Sequence, residues 1–355
     1  MTAPMLRTPL TDLVGCRHPI VQTGMGWVAG PSLVSASCNA GALGILASAT
    51  MTYDELDHAI VEVKRRTDQP FGVNLRADAS DAVRRIELLI QHGVKVASFA
   101  LAPKADLIAR LKDHGIVVIP SVGAARHAEK VAAWGADAVM IQGGEGGGHT
   151  GPVPTTLLLP TVLDAVEIPV IAAGGFFDGR GLAAALAYGA AGVGMGTRFL
   201  LTAESKVPDA VKQRYLRAAL TDTVVTAKVD GMPHRMLRTA LVDEVEATGL
   251  IGRLGPAARR ALAFRKDSGM SWSQFVRDGI RMKRAGDRSL AQMALAANTP
   301  MLLKAGLVDG DLSAGVLASG QVVGVIDDLP TCAELVDSVV RQAAGSLRRA
   351  HGYVA

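Results

Sequence analysis

Short apolar runs return at a steady interval along the N-terminal part of the chain, at residues 19–22, 43–47, 71–75, 94–101, 116–122, 138–142, 170–173 and 192–196. Runs of this length, apolar throughout and bounded by glycine or polar residues, predict strands buried on both faces. Helical patterns fill the gaps. In residues 52–67 the apolar positions Leu56, Ile60 and Val63 recur at helical spacing, and residues 80–92 open with Ser80 as a cap ahead of Asp81. Residues 181–188, rich in alanine and entered from Asp178, predict another helix. Strands separated by single helices form parallel βαβ units, and eight in succession predict an α/β fold of the (β/α)8 TIM-barrel type, with an open doubly wound sheet as the alternative.

The rhythm stops near Ser205. Residues 205–297 are too long for an ordinary connection and predict a mainly helical insertion, a lid near the C-terminal part of the chain. The expected organisation is therefore a barrel over 1–204, the lid over 205–297, and a return to the barrel over 298–355 with a C-terminal helix. Residues 224–229 read as a strand running into a loop that carries His234 and Arg235. The apolar stretch 335–340 packs either on the barrel or on a second copy of the chain, so a homo-oligomer stays open.

Candidate chemistry concentrates where the sixth run ends. Ala138-Val139-Met140-Ile141 empties into Gln142-Gly143-Gly144-Glu145-Gly146-Gly147-Gly148-His149-Thr150-Gly151, a loop with few side chains beyond an amide, a carboxylate and an imidazole. Glycine allows backbone N–H groups to approach a ligand, and imidazole moves protons near neutral pH. The plain alternative is a solvated surface loop. In barrels of this type the last two strand ends commonly hold a phosphate. Here they read Ala172-Ala173-Gly174-Gly175-Phe176 and Gly194-Met195-Gly196-Thr197-Arg198, bare backbone followed by a helix start or a hydroxyl. Asn74 and Gln142 add amides suited to a planar heteroaromatic ring.

Composition narrows the classes. With 355 residues and 49% hydrophobic content the chain builds a full-sized core, and a net charge of +4 spread over many residues of both signs calls for neither nucleic acid nor a membrane surface. Cys16, Cys38 and Cys332 are scattered without metal-ligand spacing and read as buried thiols. No apolar stretch reaches the ~20 residues that span a bilayer, and the expected compartment is the cytoplasm. One stretch stands out: residues 253–288 are rich in arginine, suited to phosphate groups or to a solvated helical face, with Trp272 and Phe275 as packing or stacking groups.

Five motifs in order carry a resemblance: Gln22-Thr23-Gly24-Met25-Gly26, Phe71-Gly72-Val73-Asn74, the loop 142–151, the end 172–176 and the end 194–199. Together they resemble the nitronate monooxygenase family, FMN-dependent TIM-barrel enzymes that include flavin-dependent enoyl-thioester reductases, across residues from about 8 to 330. The resemblance implies FMN phosphate at Gly175, Gly196 and Thr197. It implies flavin-ring contacts from Gly24, Met25, Asn74, Gln142 and the Ser319-Gly320-Gln321 turn, with Gly147, Gly148, Ala173 and Gly174 completing the cofactor bed and His149 as the catalytic base. The family loop usually reads Glu-Ala-Gly-Gly-His, whereas this one has Gly146 in the second place, which predicts a more mobile loop. Segments 23–30, 99–104, 229–235 and 296–310 are similar to a subgroup of flavin-dependent dehydrogenases acting on a CoA thioester of a steroid ring remnant. That implies α-proton abstraction by His149, a hydride passed to flavin and a small-molecule CoA thioester as partner. Arg76, Glu145, His234 and Arg235 are the candidate substrate residues, Arg76 being equally suited to an ion pair with Asp78 or Glu145. The alternatives are oxidation of alkyl nitronates with O2, enoyl-thioester reduction, and a phosphometabolite-binding barrel without redox chemistry.

Overall fold

The computed structural model describes residues 5–229, 231–247 and 299–354. In chain order its strands are β1 (Ile20–Gln22), β2 (Leu43–Ala47), β3 (Phe71–Leu75), β4 (Val96–Phe99), β5 (Val117–Val122), β6 (Val139–Gln142), β7 (Gly148–His149), β8 (Val170–Ala173), β9 (Gly192–Met195), β10 (Thr223–Thr226) and β11 (His234–Leu237). Among the described residues, β1 to β6, β8 and β9 close into a parallel barrel, β9 returning to pair with β1. All eight apolar runs are barrel strands. Their ends are trimmed where pairing stops: β4 keeps only the four central residues of the predicted eight.

Register decides which side chains face inward. Val21 pairs with Leu43 and Gly194, Ile45 with Gly72, Asn74 with Ala47 and Ser98, Ser98 with Ile119, and Gln142 with Ala173. Paired residues of neighbouring strands share a face. The interior is therefore packed with Val21, Leu43, Ile45, Val96, Val117, Ile119, Met140 and Ile171, all buried. A second apolar cluster, including Leu46, Leu56, Ile60, Val73, Leu75 and Phe99, lies between the strands and their helices. The barrel is a filled core and not a pore.

Helix ends follow local chemistry. Thr52 and Glu55 form a reciprocal capping box for the helix Tyr53–Arg66, worth about 1 kcal/mol. Asp178 accepts from the amides of Arg180 and Gly181 and opens the helix Gly179–Tyr188. The expected Ser80 cap does not form. The helix Ala82–His92 begins after Asp81, whose carboxylate pairs with Arg85 at 2.8 Å, and that guanidinium ties down the carbonyls of Ser48 and Met51. The C-terminal helix Cys332–His351 turns Leu335, Val336, Val339 and Val340 inward. It packs on the barrel unit, with Gln342 accepting from the Gly179 amide.

The chain divides into two compact units. The barrel unit holds residues 1–146, 150–206 and 325–355, and the second holds 147–149 and 207–324. The second unit begins at Val207 and runs on past residue 298. Residues 299–324 belong with the second unit and not with a return to the barrel at 298, because Leu302 and Val316 sit in a core with Val229, Met236 and Val242, and Leu317 accepts from the Leu237 amide. Among its described residues that unit holds the helices Asp209–Leu216, Ala240–Ala247 and Thr299–Leu307. Its described part is built on a three-stranded antiparallel sheet in the order β10-β11-β7, and the buried Tyr215 anchors the 318 segment through its hydroxyl. His234 and Arg235, expected on a loop, stand on β11 because Thr226 pairs with His234 in a hairpin. The basic stretch 253–288, with Trp272 and Phe275, lies outside the described residues.

Cys16, Cys38 and Cys332 are free and buried. Burial raises the first to about 11 and the other two to about 12, so they stay thiols at neutral pH. Among the described residues no helix is long and apolar enough to cross a membrane, and no cluster of three or more His, Cys, Asp or Glu is placed to hold a metal.

The helix pair at Gly179 gives a test of this packing. A Cβ there comes within 2.5 Å of the Ala343 amide nitrogen and nearer still to the Val339 carbonyl. Helix propensity alone favours alanine by up to ~1 kcal/mol, whereas forced overpacking costs ~1–3 kcal/mol. Gly179→Ala should therefore lower the midpoint of urea unfolding. A raised midpoint would show that the two helices are not in close contact.

Candidate functional site

The carboxyl ends of the barrel strands carry its inward-facing polar groups. Asn74 is held from both sides: its carbonyl accepts the Ser48 hydroxyl at 2.6 Å, and its side-chain amide donates to Ser98 Oγ at 3.3 Å. Gly24, on the loop after β1, lies directly against it, since a Cβ there would sit 2.7 Å from Asn74 Cβ. Only glycine lets that loop cross so low. Gln142 stands at the end of β6, level with Ala173. Across the rim Ala173 and Gly194 are paired and small, and a Cβ on Gly194 would already meet Ala173 Cβ at 3.0 Å and Thr23 Cγ2 at 3.1 Å.

The expected anion cradle is set by register. With Ala173 opposite Gly194, Gly175 and Gly196 lie two residues beyond the same rung on neighbouring strands. Gly174 and Gly175 take left-handed backbone angles, with φ of 97° and 87°. Such turns are open only to glycine at low cost. Nothing crowds Gly175 except Glu145 at 3.7 Å or more, and a Cβ on Gly196 would meet Thr23 Oγ1 at 3.2 Å and Met25 Sδ at 3.5 Å. The short helix Thr197–Leu200 starts here without a side-chain cap, and Thr197 contributes a hydroxyl. Neutral donors, a helix start and inward amides fit a phosphate-bearing planar heterocycle. Arg198 is not part of the cradle. It is buried and binds Asp328 at 2.6 Å together with the carbonyls of Leu201 and Asp328.

The glycine loop is more firmly held than its composition predicts. Gly143 N donates to the Ala173 carbonyl, Gly144 N to Val153, and Gly146 N to Gly143. Both Glu145 oxygens accept from the Thr155 amide, and one also takes the Thr155 hydroxyl at 2.9 Å. Pro154 occupies the N-cap of the helix Thr155–Leu163 and has no side-chain acceptor, so Glu145 caps from a distance. Glu145, a candidate substrate residue, is thereby committed to holding the loop. Arg76 likewise forms a two-point ion pair with Asp78, at 3.0 and 2.7 Å, the second of the roles open to it.

The chain leaves the barrel unit at Gly146 and rejoins it at Thr150. The three glycines at this crossing do three different things. A Cβ on Gly146 would come within 2.7 Å of Gln142 Cγ and Nε2. On Gly147 it would strike backbone, 2.5 Å from Gly320 N and 2.6 Å from Ser319 C. Gly148 has open space around it and a φ of 75°.

Within the second unit, Gly148 and His149 pair with Arg235 and His234, so the histidine is exposed on an edge strand. Its ring centroid is 4.8 Å from that of His234. Arg235 reaches Thr223 Oγ1 at 2.8 Å across the hairpin, Ser319 N donates to the Arg235 carbonyl, and Gln321 starts a short 3-10 helix, Gln321–Val325.

One residue escaped the sequence reading. Ser98 faces inward and steadies Asn74, and its only trace in the sequence is a lone hydroxyl in the apolar run Val96-Ala97-Ser98-Phe99.

Fold and rim together define a closed parallel barrel with amides and glycine turns at its strand ends. The chain matches the nitronate monooxygenase family over residues 7–84 and 79–342 and belongs to that family. It is 68% identical over 338 residues, 95% of this chain and 96% of the relative, to the (3aS,4S,5R,7aS)-5-hydroxy-7a-methyl-1-oxo-octahydro-1H-indene-4-carboxyl-CoA dehydrogenase of Rhodococcus jostii (strain RHA1). A Mycobacterium tuberculosis (strain H37Rv) protein of the same name is 66% identical over 352 residues, 98% of this chain and 99% of the relative. Among solved structures, FabK from Thermotoga maritima has a TM-score of 0.79 at 35% identity and covers 98% of this chain and 100% of its own.

The glycine loop yields a paired prediction. Gly146→Ala should cost less than Gly147→Ala, because a side chain, shifted from its Cγ outward, gives way at the first, whereas the second costs ~1–3 kcal/mol by driving backbone from backbone. Denaturant melts of both variants check the order, and equal losses would contradict the separate roles.

Proposed function

We propose that the chain is a flavin mononucleotide-dependent dehydrogenase of a bulky alicyclic acyl-CoA thioester. The observation that carries this reading is the near full-length identity of 68% and 66% to two dehydrogenases named for one bicyclic carboxyl-CoA. In that compound the thioester carbonyl stands on ring carbon 4, so the hydrogen on that carbon is α to it and acidified.

His149 takes the α-proton. Charge then grows on the thioester oxygen as the enolate forms. Gly175, Gly196 and Thr197 hold the cofactor phosphate. Asn74, steadied by Ser98, and Gln142 would hydrogen-bond the ring edge, and the backbones at Gly24, Met25, Ala173 and Gly174 would line the bed. Bound flavin mononucleotide supplies the two-electron acceptor for the hydrogen on the neighbouring ring carbon.

The family match favours a second reading, oxidation of alkyl nitronates, since a nitro group acidifies a carbon much as a thioester does. Anaerobic mixing separates the two. The first reading expects flavin bleaching by the bicyclic acyl-CoA within turnover times and none by an alkyl nitronate; the reverse pattern sinks it.

Two further measurements follow. Denaturation should release a yellow chromophore identified as flavin mononucleotide, and a colourless holoprotein would remove both readings. His149→Ala should keep the chromophore while turnover falls by at least ~100-fold. Turnover close to that of the parent would take the base role away from His149.

A further inference from the structure

One face of the three-stranded sheet carries a row of chemistry-bearing side chains. Antiparallel register sets His149 on β7 opposite His234 on β11, and His234 opposite Thr226 on β10. Directly opposed residues put their side chains on the same face. The two imidazole centroids lie 4.8 Å apart, with ring planes tilted by 50°. At the far side the Thr226 hydroxyl donates to the Glu246 carboxylate, which also lies 3.5 Å from Lys228 Nζ. Burial divides the histidines sharply: His149 is exposed, whereas His234 is 2% exposed.

We propose that His234 is a positioning residue for His149, acting through that imidazole and not on the substrate. The proposal rests on His149 being the base, as above. The ring of His234, fixed at the centre of the sheet, packs against the exposed imidazole of the two-residue edge strand and narrows the rotamers it takes. A second effect follows the chemistry. When His149 takes the α-proton, the substrate C–H bond breaks, an N–H bond forms on the ring, and the electron pair left on carbon is delocalised into the thioester carbonyl. The resulting imidazolium is a donor at both nitrogens, and the ring it was packed against holds it in place as it forms. Glu246 and Lys228 close the row behind Thr226.

A double-mutant cycle on the full-length, flavin-loaded protein tests this, using the bicyclic acyl-CoA with hydrogen or deuterium on ring carbon 4. His234→Phe should lower kcat about tenfold, leave KM within about twofold and enlarge the deuterium isotope effect, while His234→Gln, which keeps a polar side chain of similar reach, restores most of the rate. Added to His149→Ala, His234→Phe should cost nothing more. Should the phenylalanine variant fail to fold by thermal melting, His234→Asn, too short to meet the partner ring, takes its place with the same expected loss. Losses that multiply in the double variant, a rise in KM alone, or an unchanged kcat would each overturn the proposal. Failure of the base assignment is read separately, from His149→Ala alone.

Discussion

Barrel closure is the constraint from which the rest of the first unit follows. Because β1 pairs with both β2 and β9, no strand can slip by a residue without turning the whole ring inside out. The same register that buries Val21, Ile45, Val96 and Ile119 in the interior turns Asn74, Ser98 and Gln142 inward above them. A polar rim over an apolar plug is thus one decision and not two. It sets the amides at the strand ends and leaves the hydrophobic layers below to supply stability.

The glycines do their work where two stretches of backbone must come closer than any side chain allows. Gly24 lets the first loop lie on Asn74, and Gly147 lets the sixth loop lie on the 319–320 backbone. Gly174 and Gly175 serve a different need, turning the chain through left-handed angles at the end of β8. A glycine-rich loop is therefore not a slack one. The 143–155 segment is tied by Glu145, by Thr155 and by backbone bonds from Gly143, Gly144 and Gly146.

Much of the barrel was legible because strands buried on both faces leave continuous apolar runs such as Leu43-Gly44-Ile45-Leu46-Ala47, and because the amides of Asn74 and Gln142 stand out at their ends. The second unit was not. Its strand β7 is only Gly148-His149, which has no period to read, and its pairing with β11 is settled by contacts more than eighty residues away in sequence. Glu145 resisted for a related reason. That it caps a helix is visible only once Pro154 is known to occupy the N-cap and to lack the oxygen that a serine would bring. Arg76 and Arg198 show the converse, charged groups beside a binding rim whose partners, Asp78 and Asp328, are simply nearer.

The crossing at 147–149 has a consequence for the modular history and engineering of this fold. Residues that sequence order assigns to a barrel loop are, by pairing, part of the other unit's sheet. Any graft that exchanges residues 207–324 for those of a relative, while keeping the host's three-residue excursion, splits a strand from its neighbour and parts the two histidines by descent. The transplantable piece is discontinuous, and it includes the imidazole.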